Sequence, residues 1–265
     1  MEYSKSFCDL VNSFFKEKND ENLKFIGTGN PSAKILIIGK EAALSEKNLS
    51  IDFNFHYGLH QENTSLWAKC IDQNQDFDDI KVWGRNCKKY IREDFSPLYP
   101  YKHDQKIHRL PQNGGTSKTW KCYQKLISLV YPGILSEEEV DFHKYAFISE
   151  LSSKPFPKSP AKNKATENSI RIRTTELFTN DFFQQFPVII VAAGIYVSKR
   201  MYDIDLQALF NLTYVNEDPS EKDPSEWIRI YKSGNRLLLH CKQLSRCSND
   251  LLIRLANIIR EHINL

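Results

Sequence analysis

Four short, nearly continuous apolar runs punctuate the chain: 34–38 (KILII), 145–151 (YAFISEL), 187–193 (PVIIVAA) and 236–239 (RLLL). Runs that are apolar on both faces suit central parallel strands covered by helices on each side. Between them, apolar residues recur at spacings of three and four. This pattern predicts helices over 7–18, 170–185, 198–212 and 248–262, and another within 113–130, where two glycines and a Thr/Ser pair precede apolar residues at Trp120, Tyr123, Leu126, Ile127 and Val130. Residues 152–168 are rich in Pro, Ser and Lys and read as an exposed loop; the acidic stretch 215–226 reads as another. Residues 44–112 are irregular, with one helix expected around 83–92 and much of the rest expected as loop.

Strand and helix alternating four times predict a single domain over 1–265. Its expected architecture is a three-layer α/β/α sandwich on a central, mostly parallel four-stranded sheet. Open sheets of this kind bind ligands at the carboxyl ends of their strands. Here those ends are 39–41, 149–150, 193–194 and 240–244, so the pattern nominates a cleft before any chemistry is considered.

Composition narrows the class without naming a substrate. Of 265 residues, 41% are hydrophobic and 26% charged, enough to bury a core without staples. The net charge of +3 is too small to identify a nucleic-acid partner. Six cysteines are scattered with no CxxC pair, which argues against a disulfide scaffold. The first twenty residues are polar and charged, unlike a secretory signal, and no apolar run is long enough to span a bilayer. A cytoplasmic, monomeric protein with no membrane contact and no obligate protein partner is therefore expected.

The strand ends also carry a resemblance. Ile37-Ile38-Gly39-Lys40-Glu41-Ala42-Ala43 resembles the first motif of the uracil-DNA glycosylases, a buried strand ending in Gly, a polar residue and an acid. His240-Cys241-Lys242-Gln243-Leu244-Ser245 resembles their second, His-Pro-Ser-Pro-Leu-Ser. Phe147-Ile148-Ser149-Glu150-Leu151 stands where that family has a strand ending in a base-reading Asn. Lys154-Pro155-Phe156-Pro157 resembles its proline-containing stretch, and 186–194 resembles its third core strand. The ordered set spans about 33–262.

The resemblance implies a cofactor-free DNA glycosylase that flips an altered base out of single- or double-stranded DNA. Glu41 would then stabilise the sugar cation or orient water, and His240 would donate to the departing base. Gly39, Lys40, Phe55 and Glu150 would line the base pocket, Phe55 by stacking. Ser117, Lys118, Lys154, Lys242, Leu244, Ser245 and Arg246 would face the DNA, with Leu244 as the wedge. No metal or iron–sulfur cluster is expected, because the cysteine spacings match none.

Glu150 leaves alternatives open. An ionised Glu only accepts, whereas Asn both donates and accepts. Either the base is not uracil, or Glu150 is protonated, or the pocket reads no base. The competing functions are a catalytically inactive domain of the same fold that binds nucleic acid or protein, and a hydrolase of free nucleosides or nucleotides.

Overall fold

The computed structural model describes residues 2–17, 20–42, 49–77, 96–100, 107, 117–136, 139–156, 163–245 and 247–263, with backbone alone at 17 and 49–56. Helix α1 (Lys5–Asn12) opens the chain and runs into a π-helical turn, Ser13–Glu17. Strands β1 (Thr28–Gly29) and β2 (Ile35–Gly39) follow, then α2 (Leu49–Asp72) and α3 (Lys118–Val130). Next come β3 (Ala146–Glu150), α4 (Lys164–Ile172) with a π-helical turn at Arg173–Leu177, and α5 (Asp181–Gln184). Strand β4 (Val188–Ala192) leads through a 3-10 turn, Gly194–Val197, to α6 (Leu206–Phe210). The chain ends with β5 (Thr213–Asp218), β6 (Ile228–Ser233), β7 (Arg236–Cys241) and α7 (Asn249–Ile263).

One sheet of seven strands joins these elements in the order β1-β3-β2-β4-β7-β6-β5. Its middle four strands, β3, β2, β4 and β7, are parallel. They coincide with the four apolar runs of the sequence. The expected four-stranded sheet is thus extended by three antiparallel strands: β1 beside β3, and β6 and β5 beyond β7.

The parallel strands are buried on both faces. Leu36, Ile38, Phe147, Val191 and Leu238 meet Phe7 of α1, Trp67 of α2 and Phe182 of α5. On the other face Ile35, Ile37, Ile148, Ile190 and Leu239 meet Leu126 of α3 and Leu251 and Leu255 of α7. Alternate residues of each strand serve opposite cores, which is why the runs are apolar throughout.

Several sequence expectations are corrected. The helix expected over 198–212 shrinks to α6, ended by Asn211 in the left-handed region (φ 51°). The expected loop at 215–226 begins as β5, an edge strand exposed along nearly its whole length. A polar edge strand carries no apolar alternation to betray it. The helix expected over 170–185 is broken between α4 and α5, each restarted by an Asn cap: Asn163 accepts from Thr166 N–H, and Asn180 from Phe182 N–H. Much of the irregular stretch 44–112 is the 24-residue α2. The helix expected at 83–92 lies outside the described residues. Among the described residues, no helix is long and apolar enough to cross a membrane.

Candidate active site

From β2 the chain steps to β3 on one side, then crosses back to β4 on the other. The carboxyl ends of β2 and β4 therefore flank the topological switch point, where open α/β sheets form their crevice. Glu41, just past β2, accepts a hydrogen bond from Tyr196 Oη at 3.1 Å, across that crevice. Lys40 lays its ammonium over the Tyr196 ring, 4.5 Å from the centroid. Burial pulls the Lys40 pKa down, and Glu41 opposes the shift.

Glu150 ends β3, paired in register with Gly39. Its carboxyl accepts the Ala42 backbone N–H, and burial together with nearby Glu41 pushes its pKa up to about 8, against the pull of Arg173. Oε2 is buried without a hydrogen-bond partner among the described residues. It lies 3.9 Å from His60 Nε2. The other His60 nitrogen, Nδ1, donates to the Ser153 carbonyl at 2.8 Å, so in the neutral ring Nε2 is the acceptor. Glu150 thus holds its proton more tightly than an ordinary carboxyl group, and Glu41 is one cause of that.

Arg173 holds this end of β3 in place. The π-helical turn aims its guanidinium inward, where it donates to the carbonyls of Glu150 (2.9 Å), Asn22 (2.8 Å) and Phe25 (2.6 Å) and to Ser149 Oγ (3.1 Å). The side chain is wholly buried. Burial lowers its pKa to about 9, which still leaves it a cation at neutral pH. Tyr123 of α3 brings its hydroxyl close to Gly39 and is pushed far above its usual range by burial and by Glu150.

His240 takes a different place from the one expected. It is only 1% exposed. Its Nε2–H donates to the Gly194 carbonyl at 3.0 Å, so in the neutral ring Nδ1 carries the lone pair. Nδ1 is buried with no hydrogen-bond partner among the described residues. Burial drops the His240 pKa to about 4. Gly194 has φ +53°, a conformation glycine adopts at low cost, and a Cβ there would meet Lys242 Cα at 3.5 Å. One turn after β4 therefore touches both expected chemical residues: Gly194 holds His240, and Tyr196 holds Glu41.

The expected DNA-facing residues do not form one free rim. Leu244 is fully buried in the α3–α7 core, a packing residue in this conformation rather than an exposed wedge. Lys242 reaches Glu226 Oε1 at 3.2 Å and Asp223 Oδ2 at 3.7 Å. Lys154 is ion-paired to Glu21, and its ammonium lies 5.1 Å from the centre of the Tyr57 ring. Ser117 caps α3 by accepting from Trp120 N–H, with Lys118 exposed behind it. Ser245 is half-buried. Phe55 lies in α2, but its side chain and all of Arg246 fall outside the described residues.

Tyr196, His60 and Arg173 were not foreseen. Arg173 left a signal, standing on the apolar spacing of Ile170 and Leu177 where a charge is out of place. His60 shares a helical stripe with Asn63 and Trp67, but it lies in the stretch read mainly as loop. Among the described residues, no group of three or more His, Cys, Asp or Glu is arranged to hold a metal ion. No protein-family model, curated protein or solved structure matches this chain.

Proposed function

We propose that the protein hydrolyses an N-glycosidic bond, drawing an altered base of DNA into the crevice at the ends of β2, β3 and β4, on the uracil-DNA glycosylase plan. The observation that carries this reading is the carboxyl pair: Glu150 pushed up to about 8 beside Glu41. Two carboxyl groups driven apart in acidity are the equipment of glycoside hydrolysis.

Glu41, ionised, stabilises the oxocarbenium-like sugar or orients the attacking water. Glu150, protonated, presents one donor and one acceptor, the hydrogen-bonding pattern of the Asn whose place it takes. It passes its proton to a carbonyl of the base as negative charge builds there. His240 positions the Gly194 turn instead of contacting the base, because its N–H is already committed. Lys40 and Tyr196 hold the Glu41 carboxylate.

The test is a panel of labelled single- and double-stranded DNAs, each with one uracil, hypoxanthine, xanthine or oxidised pyrimidine. Alkali after incubation reveals abasic sites. Cleavage at one lesion, lost in Glu41→Gln and reduced in Glu150→Gln, supports the reading. DNA bound but never cleaved refutes it.

A second reading is a domain of the same fold that binds without chemistry. The buried Leu244 and the ion-paired Lys154 and Lys242 favour it, since a glycosylase needs a wedge and a cationic rim. Binding with no base release would select it, and release from free nucleosides alone would select a small-molecule hydrolase.

A further inference from the structure

Ile195 stands on the 3-10 turn after β4 and is 63% exposed, more than any other large apolar residue among the described ones. Its two neighbours are buried and tied to the crevice. The Gly194 carbonyl accepts from His240 Nε2 at 3.0 Å, and Tyr196 Oη donates to Glu41 at 3.1 Å. Ile195 therefore sits at the mouth of the crevice, on the backbone that joins its acid to its histidine.

The turn is held along its length. Tyr196 N–H donates to the Ala193 carbonyl at 3.2 Å, and the Ile195 carbonyl accepts from Ser198 N–H at 3.0 Å and Ser198 Oγ at 2.6 Å. Beyond it, Tyr202 N–H donates to the Tyr196 carbonyl at 3.2 Å and Ile204 N–H to that of Val197 at 3.1 Å. Lys199 and Arg200 follow, both exposed. On the other side of His240, Trp227 stands edge-on to the imidazole at 4.8 Å, with the Arg229 guanidinium 4.6 Å from its ring centre. Trp227 immediately precedes Ile228, which pairs with Cys241, so it lies at the same end of the sheet. The mouth thus combines an apolar tip, an aromatic ring and cations.

We propose that Ile195 is the wedge of this protein: it enters the stack of a DNA duplex at the place the extruded nucleotide leaves. The inference rests on the base release proposed above. Extrusion breaks stacking at a cost of a few kcal/mol, and proteins that part base steps do so with apolar side chains, isoleucine among them. A β-branched side chain on a held turn is stiff, so little freedom is lost when it inserts. Leu244, the wedge expected from the sequence, is committed to the α3–α7 core. The exposed Lys199 and Arg200 match the phosphates that flank such a gap, whereas Lys154 and Lys242 are engaged by carboxylates.

A wedge acts on strand preference. Unstacking costs least in a base that is already single-stranded, so filling the gap helps a duplex far more than a single strand. The sequence hides this residue, because Ile195 follows the apolar run of β4 and reads as its continuation. Only the positive φ of Gly194, +53°, turns the chain so that the next side chain faces solvent while Tyr196 returns to the core.

The test measures single-turnover base release by the full-length protein from one lesion-bearing strand, alone and paired with its complement. Wild type is compared with Ile195→Ser and Ile195→Leu. The ratio of duplex to single-strand rate is expected to fall about 10- to 100-fold in Ile195→Ser. In Ile195→Leu, which keeps the apolar bulk, it should stay within about threefold of wild type. The ratio cancels any difference in folded protein, so a merely structural role would not move it. An unchanged ratio in Ile195→Ser, or a ratio lost equally in Ile195→Leu, overturns the wedge and leaves base release standing. Wild-type release confined to single strands does the same. No release by wild type from any DNA removes the glycosylase reading and the wedge together.

Discussion

At Glu150 one substitution separates chemistry from packing. Glu150→Gln keeps a donor and an acceptor in the same shape but has no proton to transfer. On the DNA substrate identified by the panel, kcat/KM is expected to fall about 10²-fold. The wild-type profile should also lose activity as pH rises through about 8, where Glu150 ionises. The variant should lack that alkaline limb. An unchanged limb in Glu150→Gln would assign it to another group. Tyr196→Phe tests the partner of Glu41. Removing one hydrogen bond to a charged group costs roughly 1.5 kcal/mol, so about a tenfold drop in kcat/KM is expected with little change in fold.

Elements meet at residues whose neighbours are backbone rather than side chains. Arg173 gathers three carbonyls and one hydroxyl from β3 and the segment before β1. Arg173→Met leaves four buried acceptors unmatched, and a loss of about 3–5 kcal/mol is expected in urea unfolding. Arg173→Lys should recover only part of it, because an ammonium cannot span the guanidinium's fork. At the far edge of the parallel strands, Gly29 has φ +96°, and a Cβ there would lie 2.4 Å from the Ala146 carbonyl. Gly29→Ala is expected to cost at least about 1–3 kcal/mol and to loosen β1 from β3, read as faster amide exchange at the β1–β3 pairs.

Over the whole molecule, Glu150 and His240 set opposite pH slopes. Glu150 has a folded pKa raised from 4.5 to about 8. The stability it confers is complete below about pH 4.5 and is lost as pH rises through about 8. His240 has a folded pKa lowered from 6.5 to about 4. Its share is complete above 6.5 and is lost as pH falls towards about 4. Between 4.5 and 6.5 the two oppose each other, and between 6.5 and 8 only Glu150 acts. Wild type is therefore expected to lose about 2 kcal/mol from pH 6.5 to 8 relative to Glu150→Gln, measured by urea unfolding at both pH values. Parallel curves for the two proteins would contradict a protonated Glu150.

Periodicity and composition alone placed β2, β3, β4 and β7, because a strand buried on both faces writes an unbroken apolar run. They also located the ends of those strands and hence Gly39, Glu41, Glu150 and His240. They could not find β5, whose exposed edge needs no apolar residue. Nor could they place α2, where polar His60 and Asn63 occupy the inward stripe beside Trp67. The state of each site residue is a property of neighbours distant in sequence. Burial beside Glu41 protonates Glu150, the Gly194 carbonyl takes the His240 N–H, and α3 and α7 bury Leu244. A residue's identity fixes which protons and bonds it can offer; only the packed fold decides which of them remain on offer, because desolvation and pairing arise when strands and helices come together.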